Sequence, residues 1–259
     1  MNLREAKQLA RDLFLETLPH LDVGAKLRDT VRLQGGTLWI AGEHLALHAG
    51  RPVRVLSIGK AACEMAQTLA ELLPGMALQG VVAAAQPPAE LLAGFQYFQA
   101  GHPLPNEQSW QAAEAALALF GHQRLTSDDV VIFLISGGGS AMLERPLDPQ
   151  GTLAHLQEFY RALVGCGATI GEINTIRKHY SAVKAGRLAE AAWPARQVTL
   201  YVSDVPAHLP TMVASGPTMP DETTLLDTRA LFDRADLRAR LSPFAGAHFR
   251  ETQIGRAHV

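Results

Sequence analysis

Four short stretches carry side chains whose types and spacing could do chemistry. The first is Ser136-Gly137-Gly138-Gly139-Ser140, set directly after the apolar run Val130-Val131-Ile132-Phe133-Leu134-Ile135. Three glycines in a row let the backbone take positive φ and let a ligand approach the amides. Successive N–H groups in such a turn form a concave anion nest, and two serine hydroxyls add donors. The second is Lys60, which follows the strand-like Arg51–Gly59 and opens a helix. An ammonium there sits beside free helix amides, a pairing that favours an anion. The third is the segment from Asn174 to Arg187, with five basic residues (Arg177, Lys178, His179, Lys184, Arg187) and no acid. On a helix, Asn174, Arg177, Lys178, Ser181 and Lys184 fall opposite the stripe Ile173, Ile176, Tyr180 and Val183, within mutual reach. An ordinary wet helix face mixes both signs, so an anion-facing surface is expected. The fourth comprises two strand-end turns, Ser203-Asp204-Val205-Pro206 and Ala214-Ser215-Gly216-Pro217-Thr218. The Asp204 carboxylate suits a magnesium ion or a proton in transit, while Ser215, Gly216 and Thr218 make a small, hydroxyl-rich turn. A lysine, amide nests and a metal-competent aspartate are the parts phosphoryl transfer uses.

These residues need a frame that brings them together. A continuous β-branched run such as 130–135 fits a strand buried on both faces. Comparable runs at 51–59, 80–85, 95–100 and 197–202 alternate with helical patterns at 61–73, 106–120 and 152–164. Thr169-Ile170-Gly171-Glu172 fits a capping box for a further helix, Asn106 fits an N-cap, and Asp221 is expected to cap a helix running through Arg240. Residues 2–22 read as one amphipathic helix, and Val31 to Ile40 as a hairpin around Gly35-Gly36. Strand-helix alternation predicts a three-layer, doubly wound α/β domain with a largely parallel, Rossmann-like sheet and a small N-terminal hairpin. In such a sheet the strands' carboxyl ends share one edge, so Lys60, the 136–140 loop, Asp204 and the 215–218 turn can meet.

Composition narrows the function classes. The chain has 259 residues, 47% hydrophobic and 19% charged, with a formal charge of −2. That composition is globular, and the charge argues against a nucleic-acid binder relying on a basic face. Cys63 and Cys166 lack metal-ligand spacing and are too few for a disulfide scaffold, so a cytoplasmic protein is expected. The amino-terminal residues carry charges where a signal peptide needs an apolar core, and no run is long enough for a membrane span. GxxxxGK[ST] and GxGxxG are both absent. Ser57-Ile58-Gly59-Lys60-Ala61-Ala62 therefore does not supply the glycine fingerprint of a nicotinamide site.

The same segments resemble the bacterial-type glycerate 2-kinases, whose second domain is called MOFRL. The matching blocks are Gly59-Lys60-Ala61-Ala62, Gly101-His102-Pro103-Leu104-Pro105, Ser136 to Ala141, Gly171 to His179, Gly186-Arg187-Leu188-Ala189, Ser203-Asp204-Val205 and Ala214-Ser215-Gly216-Pro217-Thr218. The resemblance implies an ATP- and Mg²⁺-dependent kinase acting on the 2-hydroxyl of D-glycerate, although some relatives carry the label hydroxypyruvate reductase. It implies Lys60 and Asp204 as catalytic residues, Asp204 also holding magnesium. Phosphate or substrate would lie against Ser136, Gly137, Gly138, Gly139, Ser140, Asn174, Arg177, Lys178, Ser215, Gly216 and Thr218. Two positions depart from the pattern: Asn106 stands where aspartate is expected, and Ala207-His208-Leu209 replaces a glycine-aspartate pair. Residues 1–252 would be the N-terminal domain. The family's C-terminal domain, expected to close the cleft and contribute an arginine, would be a missing partner from the same chain, and a homodimer stays open. Without that domain the expectation is a folded chain with little kinase turnover. Ile254-Gly255-Arg256-Ala257-His258-Val259 reads as a translated sequencing adapter, so 253–259 are expected to be non-native. The alternatives are a reductase and a non-catalytic module binding a sugar phosphate or hydroxy acid.

Overall fold

The computed structural model describes residues 1–17, 22–48, 50–121, 124–203, 205–206, 209–242 and 249–252. Asp204, Ala207, His208 and the 253–259 tail, all named above, lie outside the described residues.

The frame is a five-stranded, wholly parallel sheet. Its strands are β4 (Val53–Ile58), β5 (Leu78–Ala84), β6 (Phe95–Gln99), β7 (Val130–Ile135) and β8 (Arg196–Tyr201), in spatial order β6-β5-β4-β7-β8. Every residue of β4 and β7 is buried, as continuous β-branched runs require when both sheet faces are covered. Alternate residues feed two cores. Leu56, Ile58, Val131, Phe133 and Ile135 pack with Ala112, Ala113, Ala116 and Phe120 of α4 (Glu107–Gly121). Val53, Val55, Val130, Ile132 and Leu134 pack with Met65, Ala66 and Leu69 of α3 (Ala62–Leu72) on the other face. Each buried Val, Leu, Ile, Phe or Met among them contributes roughly 1.5–3 kcal/mol. The doubly wound, three-layer expectation therefore holds.

The strand order reverses between β4 and β7, so their carboxyl ends flank the switch point where open α/β sheets bind ligands. A third core joins α6 (Leu153–Val164), α7 (Ile170–Tyr180) and α9 (Leu225–Arg234) through Phe159, Tyr160, Ile176, Tyr180 and Phe232. It braces α7 beside that edge. Both halves of the Thr169–Glu172 capping box form.

Four local expectations are corrected. The helix expected over 2–22 is α1 (Leu3–Thr17), which buries none of its residues, and a second helix, α2 (Val23–Thr30), follows with Asp22 as its N-cap. The hairpin is a three-stranded antiparallel meander, β1 (Val31–Gln34), β2 (Thr37–Ile40) and β3 (Glu43–Ala46). Its last strand carries no apolar alternation to announce it. The helix expected through Arg240 divides into α9 and α10 (Leu237–Arg240), with Asp236 at positive φ between them. Thr224 and Asp227, rather than Asp221, make the α9 capping box.

Candidate functional site

A cleft of about 340 Å³ opens at the switch point. One wall is the glycine loop, Gly137, Gly138, Ser140 and Ala141. The other is Asn174 and Arg177 of α7, with His102, Val205, Met212 and Ala214 completing it. A larger cleft, about 440 Å³, lies at the amino ends of β4 to β6 beside Arg54 and Gln79. There Arg54 is already neutralised by Asp129 at 3.0 Å, so chemistry rather than size selects the first.

The loop after β7 is built to turn sharply and to be gripped. Gly138 sits at φ 87° and Gly59, at the end of β4, at φ 109°. A side chain on Gly59 would stand 2.4 Å from both the carbonyl oxygen and Oγ of Ser136. That closeness lets the two strand ends share bonds. The Lys60 amide donates to the Gly137 carbonyl at 2.9 Å, and the Ala61 amide donates to Ser136 Oγ at 3.0 Å. Ser136 Oγ itself donates to the Ile58 carbonyl at 3.1 Å. Its hydroxyl is thus committed to the scaffold. The Gly137 and Gly138 amides, by contrast, have no protein acceptor among the described residues.

The exposed Lys60 side chain runs past this loop: its Cγ lies 3.4 Å from where a Cβ on Gly138 would stand, and His102 Cδ2 lies 3.2 Å from the same point. Partial burial, then the fields of Lys60 and Arg177, hold His102 below its ordinary pKa. An anion entering the cleft opposes those fields and raises that pKa, so binding takes up a proton. Sulfate, whose own charge is constant, should bind more tightly as pH falls through the histidine range. A His102→Gln variant should flatten that dependence in a calorimetric titration.

The second wall is stitched to the first. Ser215 Oγ donates to Asn174 Oδ1 at 3.1 Å and accepts from Ser140 Oγ at 2.9 Å. Asn174 Oδ1 also takes a long bond from Arg177 Nη1 at 3.5 Å. The Arg177 guanidinium lies over the Tyr160 ring, 4.5 Å from its centroid, a cation–π contact that fixes its plane. Tyr160 Oη reaches the Ser140 carbonyl at 2.8 Å and Glu144 Oε2 at 2.5 Å. Glu144 is wholly buried and also meets Ser181 Oγ at 2.5 Å, Lys184 Nζ at 3.0 Å and the Arg145 amide at 2.9 Å.

The expected residues therefore separate. Gly137, Gly138, Ser140, Asn174 and Arg177 line the cleft, and Lys60 runs beside its glycine loop. Gly139 packs beneath it, with room for a Cβ taken by Ala214 at 2.8 Å. Lys178 is buried in an ion pair with Asp221 at 3.0 Å, and Lys184 is paired with Glu144. The basic stretch is thus no open anion-facing surface. Ser215 is wholly buried and acts through Ser140 and Asn174, Gly216 accepts from the Gly186 amide at 2.8 Å, and Thr218 pairs with Thr199 at 2.9 Å. His102 and the supporting Tyr160–Glu144 pair carried little sequence signal, since their roles depend on contacts across the chain.

A hard divalent cation needs oxygen ligands, carboxylates above all. Among the described residues no group of three or more His, Cys, Asp or Glu side chains gathers. The cleft's own side chains are cationic or neutral, so the described residues do not fit a magnesium ion held by protein alone.

Fold and site together define a doubly wound α/β domain with a cleft lined by Arg177 and the glycine loop at its topological switch point. The chain belongs to the family described as "Domain of unknown function (DUF4147)", whose model matches residues 9–250. It is 39% identical over 183 residues to a protein from Thermotoga maritima named "D-glycerate 2-kinase", covering 70% of this chain and 43% of the relative. It is 44% identical over 180 residues to a protein from Agrobacterium vitis named "Putative hydroxypyruvate reductase", covering 70% and 40%. A crystal structure of a protein from Pyrococcus horikoshii superposes with a TM-score of 0.80 at 32% identity, covering 95% of this chain and 54% of that one. The chain thus spans less than half the length of these two curated relatives. Among the described residues no helix is long and apolar enough to cross a membrane.

Proposed function

We propose that this chain carries the phosphoryl- and acceptor-binding half of a D-glycerate 2-kinase, which moves the γ-phosphoryl group of ATP to the 2-hydroxyl of D-glycerate. The observation that carries the reading is the meeting of Arg177 with the Gly137 and Gly138 amides, unbonded among the described residues, on one small cleft, with Lys60 running beside its glycine loop. The name of the Thermotoga relative supports it. In this reading the 2-hydroxyl oxygen attacks the γ-phosphorus as the bond to the β,γ-bridging oxygen breaks, ADP departs, and a base takes the hydroxyl proton. Lys60 neutralises charge on the transferring group, and the loop amides hold its oxygens. Such preorganised donors act where charge spreads over the equatorial oxygens.

Asp204, as base or magnesium ligand, belongs to the proposal alone, as do ATP, Mg²⁺, a cytoplasmic location and a second domain from the same polypeptide. So do the roles of Ser136, Gly139, Lys178, Ser215, Gly216 and Thr218, which in this geometry shape the cleft from outside. The reductase reading has the Agrobacterium relative's name in its favour, but the Gly59 turn lacks the fingerprint a dinucleotide needs.

The test is phosphorus NMR of the product formed by the two-domain parent from ATP, Mg²⁺ and D-glycerate. Formation of 2-phosphoglycerate is expected; 3-phosphoglycerate, or NADH consumption with hydroxypyruvate and no phosphoryl product, overturns the reading. Lys60→Met should lower turnover about 10²–10³-fold, the cost of losing one preorganised donor. Its melting temperature should barely change, because Lys60 is exposed.

A further inference from the structure

Arg177 is 7% exposed, yet no carboxylate among the described residues pairs with it. Its Nε has no hydrogen-bond acceptor among the described residues. The neighbouring cations of the same stretch are all neutralised or bonded: Lys178 by Asp221, Lys184 by Glu144, and Arg187 by the carbonyls of Lys178 and Lys184. Among the described residues Glu144, the buried carboxylate that meets Tyr160 beneath the guanidinium, is already held by Lys184, Ser181 and Tyr160. A buried charge left without a counter-ion is costly, and proteins normally pair such groups. Arg177 nevertheless lines the cleft, with its plane fixed by Tyr160 and its position by Asn174. Among the described residues no side chain supplies that counter-ion, and the open space beside Arg177 is the cleft.

We infer that Arg177, flanked by Asn174 and Ser140, is the anchor for the carboxylate of a small hydroxy acid. The inference rests on the kinase reading for the identity of that acid, but its geometry stands independently. Charge matching decides between the two anions a kinase handles. The phosphoryl group carries more than one charge and finds Lys60 and two free amides at the β4–β7 end. The α7 end offers one unpaired guanidinium, whose planar fork suits a monoanionic carboxylate. Apolar Ala141, Met212 and Ala214 lie around it, a setting in which a charge-assisted bond strengthens. Asn174 and Ser140 stand where the acid's hydroxyl groups can be bonded, so a compound lacking the carboxylate would leave Arg177 as unpaired as it is now.

Calorimetric titration of this chain with D-glycerate, glycerol and sulfate tests the inference. Wild type should bind D-glycerate at least about tenfold more tightly than glycerol. Arg177→Met should weaken D-glycerate roughly 30-fold or more and glycerol not at all, with sulfate changed less than about threefold. Arg177→Lys should recover only part of the loss, because a point charge cannot reproduce the fork. Removing an unpaired buried charge should leave the melting temperature equal or higher, which separates lost recognition from lost folding. Three titration results overturn the inference: no D-glycerate binding by wild type at 20-fold over the glycerol range, unchanged D-glycerate affinity in Arg177→Met, or a parallel loss of sulfate and D-glycerate. Arg177-dependent binding combined with no phosphoryl transfer by the two-domain parent would instead retire the kinase reading alone. Transfer with an unaltered D-glycerate KM in that variant would retire this one alone.

Discussion

Glu144→Ala should cost the fold about 3–5 kcal/mol, enough to leave a domain of ordinary stability largely unfolded. Glu144 is wholly buried and Lys184 is 1% exposed. Removing the carboxylate strands the ammonium and deprives Tyr160 and Ser181 of their shared acceptor. The penalty comes from that uncompensated charge more than from any attraction lost. The double variant Glu144→Met with Lys184→Met should therefore recover most of the stability, and a urea titration of all three chains measures the coupling. The pH dependence has a definite sign. Burial already holds Lys184 below its ordinary pKa, against the pull of Glu144. Without Glu144 the folded-state value falls further while the unfolded value stays, so the unfolded chain binds more protons. The deficit of Glu144→Ala should accordingly shrink as pH rises from neutrality toward the ordinary lysine value near 10.

Gly59→Ala should be nearly as severe, about 4 kcal/mol or outright failure to fold. Alanine at φ 109° is strained by itself, at about 1–3 kcal/mol. The new methyl would meet the Ser136 carbonyl oxygen and Oγ at 2.4 Å and its carbonyl carbon at 2.8 Å. Those are mostly backbone atoms at the end of a central strand, with no rotamer by which to escape. Relief means parting β4 from β7, which breaks the Lys60–Gly137 and Ala61–Ser136 bonds that orient the cleft. Gly36→Ala, with positive φ but open space around its Cβ, is the control that isolates strain from collision. Thermal melts of the two variants should differ by more than about 5 °C, a shift expected for about 2 kcal/mol in a chain of this size.

The central strands and their terminal loops were legible because buried parallel strands advertise themselves by continuous β-branched runs, and turns by glycine. The α7 capping box was legible for a similar reason, as its two partners lie three residues apart. Pairings that span the chain were not. The acid that neutralises Lys178 stands 43 positions away, and Glu144 meets Lys184 only once α7 has been laid over the glycine loop. A window that sees five cations and no acid cannot distinguish a bare anion surface from a set of buried pairs. Of the five, Arg177 is the one that lines the cleft among the described residues. The α1–α2 division and β3 escaped notice because short peripheral elements bury too little to leave a periodic imprint.

The Ser140–Ser215–Asn174 relay has a bearing on how the cleft meets its guest. Three side chains from separate segments are locked before anything enters, and Gly139 is pressed against Ala214 behind them. Mould and casting then differ little in shape, so the entropy of arranging this surface is spent during folding and not at the moment of association. Any large closing motion on binding would have to arise outside these three segments.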